Sequence, residues 1–146
     1  MSEDDAYEIT WLVRRLFRAM AQNSNERLAA FDISAADRAV LEFLYPDRSL
    51  TVPDIADRHA VSRQHVQATV NRLLEKDLVT AAPNPRHKKS VLLALTRPGR
   101  KLMTQVLKAD KRLAGQLLAT ASRSDILITK RTLRKLYDQL NRGEIA

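Results

Sequence analysis

The sequence predicts a mainly α-helical protein that carries one small β-hairpin. Three observations lead to this prediction. Apolar residues recur at intervals of three and four through both ends of the chain, which is the period of an α-helix. The middle of the chain contains three shorter helical segments joined by very short connections. Directly after them, two short runs rich in β-branched and aliphatic residues flank a loop of proline and cationic residues.

The composition restricts the classes of protein to consider. With 146 residues the chain has the size of one domain. It contains no cysteine, which excludes disulfides and thiol-based metal, catalytic or redox chemistry. No apolar run is long enough to cross a membrane, and the acidic first residues do not resemble a secretory signal. We therefore expect a cytoplasmic protein with no membrane partner.

The basic residues are concentrated in the middle of the chain. Residues 1–57 carry 6 basic and 11 acidic side chains, whereas residues 58–101 carry 10 basic and 2 acidic ones. No Asp or Glu occurs between Leu78 and Ala109. A cationic block in a compact chain favours a polyphosphate partner, because each neutralised phosphate releases counterions. A surface that only improves solubility would have the same composition.

Long helices are predicted at both ends. Residues 3–30 form one helix whose apolar stripe consists of Ile9, Leu12, Val13, Leu16, Phe17 and Met20. The C-terminal third has two further apolar faces, separated by a break at residues 121–124. These stripes exceed what a small domain needs to close its own core, so we expect them to pack against a second copy of the chain. The alternative is that every helix folds onto its own domain.

The three shorter helices begin with capping signals. Two of them have a serine or threonine followed three positions later by an acid, namely Ser34 with Asp37 and Thr51 with Asp54, and Ser62 precedes the third. The second and third helices are separated by little more than residues 60–61. This is the layout of a helix-turn-helix, in which one helix supports and the next is presented outward.

A β-hairpin follows the presented helix. Residues 78–81 and 90–95 are predicted to be its strands, and residues 83–89 its basic loop. A long helix then starts near Thr96, with Pro98 in its first turn. A hairpin placed directly after a helix-turn-helix makes a winged helix.

The presented helix carries side chains suited to reading DNA. Its inner side is predicted to consist of Val66, Val70, Leu73 and Leu74. Arginine pairs bidentately with guanine and glutamine with adenine, and a helix N-terminus attracts a phosphate. The residues predicted to bind DNA in this helix and the wing are Ser62, Arg63, Gln64, His65, Gln67, Asn71, Arg72, Arg86, His87, Lys88 and Lys89. The alternative is a solvated amphipathic helix.

The motifs of this region resemble the MarR family of bacterial transcriptional regulators. The resemblance rests on three runs and on the basic wing that follows them. These runs are Val61-Ser62-Arg63-Gln64-His65-Val66, Val70-Asn71-Arg72-Leu73 and Glu75-Lys76-Asp77-Leu78-Val79, and the wing is followed by Leu95-Thr96-Arg97-Pro98-Gly99. It extends over nearly the whole chain.

The resemblance implies one MarR-like domain over residues 1–146 that forms a homodimer. Residues 1–30 and 100–146 would be the dimerisation helices, and residues 31–99 the DNA-binding lobe. The implied partner is double-stranded DNA with a palindromic operator. The implied activity is that of a repressor, which a small aromatic effector could release.

The wing departs from the family pattern. The usual Asp-Arg-Arg corresponds here to His87-Lys88-Lys89, so the acid is missing and a lysine replaces the tip arginine. Lysine lacks the planar fork of arginine, which predicts weaker minor-groove reading and more attraction to the backbone. Arg86 could be the tip instead if the hairpin turns differently. Asp77 replaces the family's glycine after the presented helix, at a left-handed position that aspartate tolerates.

No other chemistry is indicated. We find no motif of an enzyme, and we expect no catalytic residue, no cofactor and no metal site. Among the histidines, only His59 has acids nearby, Asp54 and Asp57, at a conceivable spacing across a turn.

The sequence does not define a ligand pocket. By analogy with the family, the side chains best placed for a ligand are Trp11, Arg15 and Phe43, although ordinary core and dimer packing would explain them as well.

Two interpretations remain open at this stage. The first is a sequence-specific dimeric regulator. The second is a winged helix that acts as a structural or protein-interaction module, or that coats DNA without sequence preference and without a regulatory ligand.

Overall fold

The structure, a computed structural model, describes residues 2–142. It is mainly helical with one antiparallel hairpin, as predicted. The elements are α1 (Glu3–Ala29), α2 (Ala35–Leu44), α3 (Val52–His59), α4 (Arg63–Glu75), β1 (Val79–Pro83), β2 (Val91–Leu95), α5 (Arg97–Leu117) and α6 (Arg123–Arg142). The chain divides into two compact units after Val106, within α5. None of the helices in residues 2–142 has the length and hydropathy of a membrane-spanning segment.

The capping signals read from the sequence are confirmed. Ser34 and Asp37 form a reciprocal capping box at the start of α2, and Thr51 and Asp54 form a second one at the start of α3. The backbone N–H of Thr51, and then its side chain, hold the pKa of Asp54 below its ordinary value of 3.8. Hydrogen bonds of this kind stabilise the ionised carboxylate.

Helices α2, α3 and α4 enclose the core of the first unit. The side chains of Leu41, Leu44, Ile55 and Leu73 have no exposed surface. Ala60 ends α3 in the left-handed conformation, at φ 54°, and thereby turns the chain directly into the cap of α4 at Ser62. The predicted helix-turn-helix is therefore present.

The predicted inner side of α4 is correct at three of four positions. Val66, Val70 and Leu73 are buried, but the prediction for Leu74 was wrong, since this side chain is exposed. Thr69 is buried in its place, because a position three residues after Val66 lies on the same face of the helix.

The two strands pair in register from Val79 with Leu95 to Pro83 with Val91. Pro83 was predicted to lie in the loop, but it belongs to β1. It is the outermost residue of the pairing, where the absence of an N–H costs no interior ladder hydrogen bond. On the other side of β2, the backbone groups of Leu50 and Leu93 exchange two hydrogen bonds, of 3.0 and 2.8 Å. The hairpin is thus anchored to the segment that precedes α3.

The end of α4 is joined to the start of α5. Asp77 lies in the left-handed region at φ 56°, as the resemblance implied for this position. The hydroxyl of Thr96 donates a 2.6 Å hydrogen bond to the carbonyl of Asp77 and accepts one of 3.1 Å from the N–H of Gly99. The N–H of Thr96 also donates to the carbonyl of Leu78. Both ends of the hairpin are therefore held at one point.

In the second unit, α6 follows the end of α5 after the predicted break, and Ser122 caps it by accepting from the N–H of Asp125. None of its side chains is buried, and Leu127, Ile128, Leu133 and Leu140 are exposed. The apolar stripe of α1 in the first unit is likewise exposed, from 41% at Val13 to 71% at Phe17. Both helices thus present apolar surface that their own unit leaves uncovered.

Candidate nucleic-acid interface

The first turn of α4 is open and free of acidic side chains. The Ser62 hydroxyl accepts a 3.1 Å hydrogen bond from the N–H of His65, which satisfies one of the unpaired donors of the helix start. Arg63, Gln64 and His65 are all exposed. The remaining N–H groups and the positive end of the helix dipole favour an anion at this point.

The second turn continues this surface with a pair of amides. The Gln67 side chain donates a 2.9 Å hydrogen bond to the side-chain oxygen of Asn71, one turn further along, and both residues are exposed. The pair leaves the Gln67 oxygen as an acceptor and the Asn71 amide as a donor. This is the combination of groups that an adenine edge accepts.

Arg72 differs from the other predicted DNA-binding residues, because its guanidinium is held by the protein. It donates a 3.2 Å hydrogen bond to the carboxylate of Asp37, a buried residue of α2. It also donates to the hydroxyl of Thr69 at 3.3 Å. Sequence reasoning missed the ion pair of Arg72 with Asp37, since nothing local relates positions that are 35 residues apart.

The loop of the wing consists of two consecutive turns. The N–H of His87 donates to the carbonyl of Asn84, and the N–H of Ser90 donates to the carbonyl of His87. The centre of the first turn is Pro85-Arg86 and the centre of the second is Lys88-Lys89. Arg86, His87, Lys88 and Lys89 are all exposed. The wing therefore presents Arg86 at one corner and two lysines at the other.

Asn84 holds this loop together in the absence of the family's aspartate. Its side-chain oxygen accepts a 3.0 Å hydrogen bond from the N–H of Arg86, which makes an Asx turn. Its amide group donates to the Ser90 hydroxyl at 3.3 Å and so connects the two residues on either side of the loop. The preference of Asn-Pro for turns was a usable signal in the sequence.

A cleft joins the presented helix to the wing. It has a volume of about 390 Å³ and is lined by Val52, Pro53, Arg63, Gln64, Gln67, Lys89, Ser90 and Val91. Two cationic side chains from different elements, Arg63 and Lys89, thus border one opening beside exposed amides. Such a site can take an anionic group together with a hydrogen-bonding edge.

The side chains named for a ligand take part in two aromatic contacts. The guanidinium of Arg15 lies over the ring of Trp11 at 4.7 Å from its centroid, which is a cation–π contact. The ring of Phe43 instead meets the ring of His59 edge-on, with centroids 5.8 Å apart. Within residues 2–142, no three His, Asp or Glu side chains are grouped as metal ligands would be.

A helix-turn-helix followed by a two-stranded wing, with a cationic presented surface, defines the winged-helix class of DNA-binding proteins. The comparisons with known proteins then specify the family. A family model described as the MarR family matches residues 31–90. The uncharacterized protein Rv2011c of Mycobacterium tuberculosis is 31% identical over 132 residues, which are 90% of this chain and 87% of that protein. The chain belongs to the MarR family of transcriptional regulators.

Solved structures of the family have the same fold. A MarR family protein from Bacillus stearothermophilus aligns with a TM-score of 0.86 at 22% identity, covering 97% of this chain and 99% of that one. Staphylococcus aureus MarR in complex with salicylate and kanamycin also aligns with a TM-score of 0.86, at 20% identity and with 96% and 95% covered. A mutant of Escherichia coli MarR complexed with operator DNA gives 0.74 at 22% identity, with 91% and 96% covered.

Proposed function

We propose that this protein binds a palindromic operator in double-stranded DNA as a homodimer and represses transcription. The observation that carries the proposal is the first turn of α4, where Arg63, Gln64 and His65 are exposed beside a cationic wing and no acid is present. In this role α4 is the recognition helix and enters the major groove. We propose no catalytic activity for the chain.

The contacts divide into reading and anchoring groups. Arg63 and Gln64 read base edges, because both side chains can make paired hydrogen bonds to one base. Arg86, His87, Lys88 and Lys89 attract the phosphate backbone and carry little sequence information. The Ser62 cap places the first N–H groups of α4 toward a phosphate. A mutant of E. coli MarR with the same fold is complexed with operator DNA, which supports DNA as the partner proposed for this chain.

The dimer rests on the exposed apolar stripe of α1. Exposure of Leu16, Phe17 and Met20 above 50% is unfavourable in a monomer in water. A second copy would cover this surface, and α6 presents a further one. A dimer also places two recognition helices so that they read two half-sites one helical turn apart.

We also propose that a small aromatic ligand releases the repressor from DNA. The structure of S. aureus MarR with salicylate supports an aromatic carboxylate as the ligand class. Trp11 and Arg15 offer a stacked ring and a guanidinium, which together suit an aromatic anion. Phe43 supplies apolar surface on α2.

The experiment that tests the DNA-binding proposal is selection of bound duplexes from a random pool. The expected result is a two-fold symmetric consensus whose half-sites are about one helical turn apart. Recovery of unrelated sequences with the same affinity would instead favour the alternative function, a winged helix that coats DNA without preference. Absence of any bound duplex would favour a protein-interaction module.

A further inference from the structure

A chain of hydrogen bonds connects the start of α2 to the first turn of α4. Asp37 accepts a 3.0 Å hydrogen bond from the N–H of Ser34 with one carboxylate oxygen and a 3.2 Å bond from Arg72 with the other. Arg72 donates in addition to the hydroxyl of Thr69. That hydroxyl donates to the carbonyl of His65 at 3.1 Å. This series of hydrogen bonds thus ends inside the turn of α4 that carries the proposed base-reading residues.

Two of the three side chains in this network are buried. Asp37 is 3% exposed and Thr69 1% exposed, so neither can exchange its partners for water. A hydrogen bond between two charged groups is stronger in buried surroundings than at the surface. Removal of the guanidinium would leave the buried carboxylate of Asp37 without its opposite charge. The ion pair joins a buried carboxylate of α2 to a half-exposed guanidinium of α4, and we expect it to stabilise this contact more than a fully exposed pair would.

The same contacts restrict what Arg72 can do. Its side chain is half exposed, but one nitrogen of its guanidinium already faces both Asp37 and Thr69. A second nitrogen of the guanidinium donates to the carbonyl of Ala68 at 3.5 Å, so a phosphate would have to compete with these protein partners for most of the guanidinium. By contrast, the side chains of Arg63 and Gln64 take no part in this network, and both residues are exposed.

We propose that Arg72 is a positioning residue and makes no direct DNA contact. Its ion pair with Asp37 holds the recognition helix at the orientation in which residues 63–65 meet the base edges. This inference rests on the proposed function, since a helix can only be positioned for reading if it reads. The consequence is that Asp37, a buried acid outside the DNA-binding surface, determines sequence preference.

The test uses the full-length protein and two duplexes of equal length, the selected consensus and a scrambled sequence. The variants are Asp37→Asn, which keeps the oxygen that caps α2 but removes the charge, Arg72→Gln, and the double variant. We expect each single variant to lower the ratio of the two affinities about tenfold, the loss caused by one misaligned base contact. We expect the double variant to resemble the single ones, because both changes break the same connection.

Two further variants make the result specific. Arg72→Lys keeps a positive charge opposite Asp37 without the planar fork, and we expect it to restore part of the preference even if Arg72→Gln folds poorly. Arg112→Gln removes the same charge from an exposed position of α5 and should leave the ratio unchanged. The salt dependence of binding should be the same for Arg72→Gln and for the wild type.

Three results would overturn the inference. If Asp37→Asn leaves consensus affinity unchanged or raises it while Arg72→Gln lowers the salt slope by about one, Arg72 contacts a phosphate directly. If all variants lose affinity for both duplexes equally, the connection has only a structural role. If urea unfolding of the free protein shows additive effects of the two changes, Asp37 and Arg72 are not coupled.

Failure of the proposed function has a different signature. A wild-type protein that binds both duplexes equally would contradict sequence-specific binding, and the positioning role of Arg72 would then have no function to serve. That outcome is visible in the wild type alone, whereas failure of the positioning role is visible only in the variants.

Discussion

The carbonyl oxygen of Leu78 lies 2.0 Å from the point that a Cβ atom on Gly99 would occupy. Gly99 is therefore required by the close approach of α5 to Leu78, which lies between α4 and β1, and not by a special backbone angle. This contact explains the glycine of the Leu-Thr-x-x-Gly motif, whose threonine makes the adjacent hydrogen bonds to residues 77–78 and Gly99. The motif therefore connects the start of α5 to residues 77–78, which follow α4.

We predict that Gly99→Ala destabilises the protein by about 3 kcal/mol, because the new methyl group meets backbone that cannot move aside cheaply. Gly115→Ala is the matched control, since a Cβ there has no neighbour within 4 Å in the described chain. That change should stabilise α5 by up to about 1 kcal/mol. Urea unfolding measures the free energy of unfolding of both variants. Equal effects of the two changes would contradict a requirement for glycine at position 99.

Arg63 and Lys88 should have different roles in DNA binding. We predict that Arg63→Ala costs about 1–3 kcal/mol on the selected duplex and relaxes preference at one base position. Lys88→Ala should weaken selected and scrambled duplexes alike and reduce the salt slope by about one. Titrations at several salt concentrations check both. Equal loss on both duplexes from both changes would favour a non-specific DNA coater.

Sedimentation of the purified protein should give a dimer. We predict that Phe17→Glu, in the exposed stripe of α1, yields monomers because the carboxylate would be buried in the interface. Arg18→Glu places the same charge off the stripe and should leave the dimer intact. Removal of residues 1–25 should give poorly soluble material. A soluble monomer of this truncated form that still binds its site tightly would count against the dimer.

Ligand binding can be followed through Trp11, the single tryptophan of the chain. We predict that salicylate changes the fluorescence of Trp11, because a ligand at this ring displaces the Arg15 guanidinium that lies over it. Salicylate should also weaken binding to the selected duplex. Arg15→Ala should reduce both effects, whereas Arg18→Ala should not. Release of DNA with no change at Trp11 would place the ligand elsewhere.

The capping box of α3 predicts a dependence of stability on pH. The pKa of Asp54 is lowered in the folded protein, so its ionised form stabilises the fold at neutral pH. This stabilisation is lost as the pH falls from the ordinary value of 3.8 through the lower folded value. We predict that Asp54→Asn flattens this part of the stability profile in urea unfolding between about pH 5 and pH 2. An unchanged profile would contradict the assignment.

Much of the fold was readable because it depends on neighbours along the chain. The capping boxes at Ser34 and Thr51 each involve residues three positions apart, and the pattern therefore predicts the helix start directly. The left-handed residue after the recognition helix followed from the resemblance. For the inner side of α4, the prediction from apolar spacing was wrong at Leu74, which is exposed. Periodicity shows which face of a helix is apolar, but it does not show how wide the buried part of that face is.

The order in which local signals follow one another along the sequence was enough to determine the class of this protein. These signals indicate a helix-turn-helix, a basic hairpin and long flanking helices. Only the tertiary structure decided how the cations are used. It paired Arg72 with Asp37, placed Arg86 and Lys88-Lys89 in separate turns of the wing, and put Lys89 and Arg63 at the border of one cleft. The reason is that the sequence gives the position of a charged side chain but not its orientation. Its partner is determined by the packing of helices and strands that lie far apart along the chain.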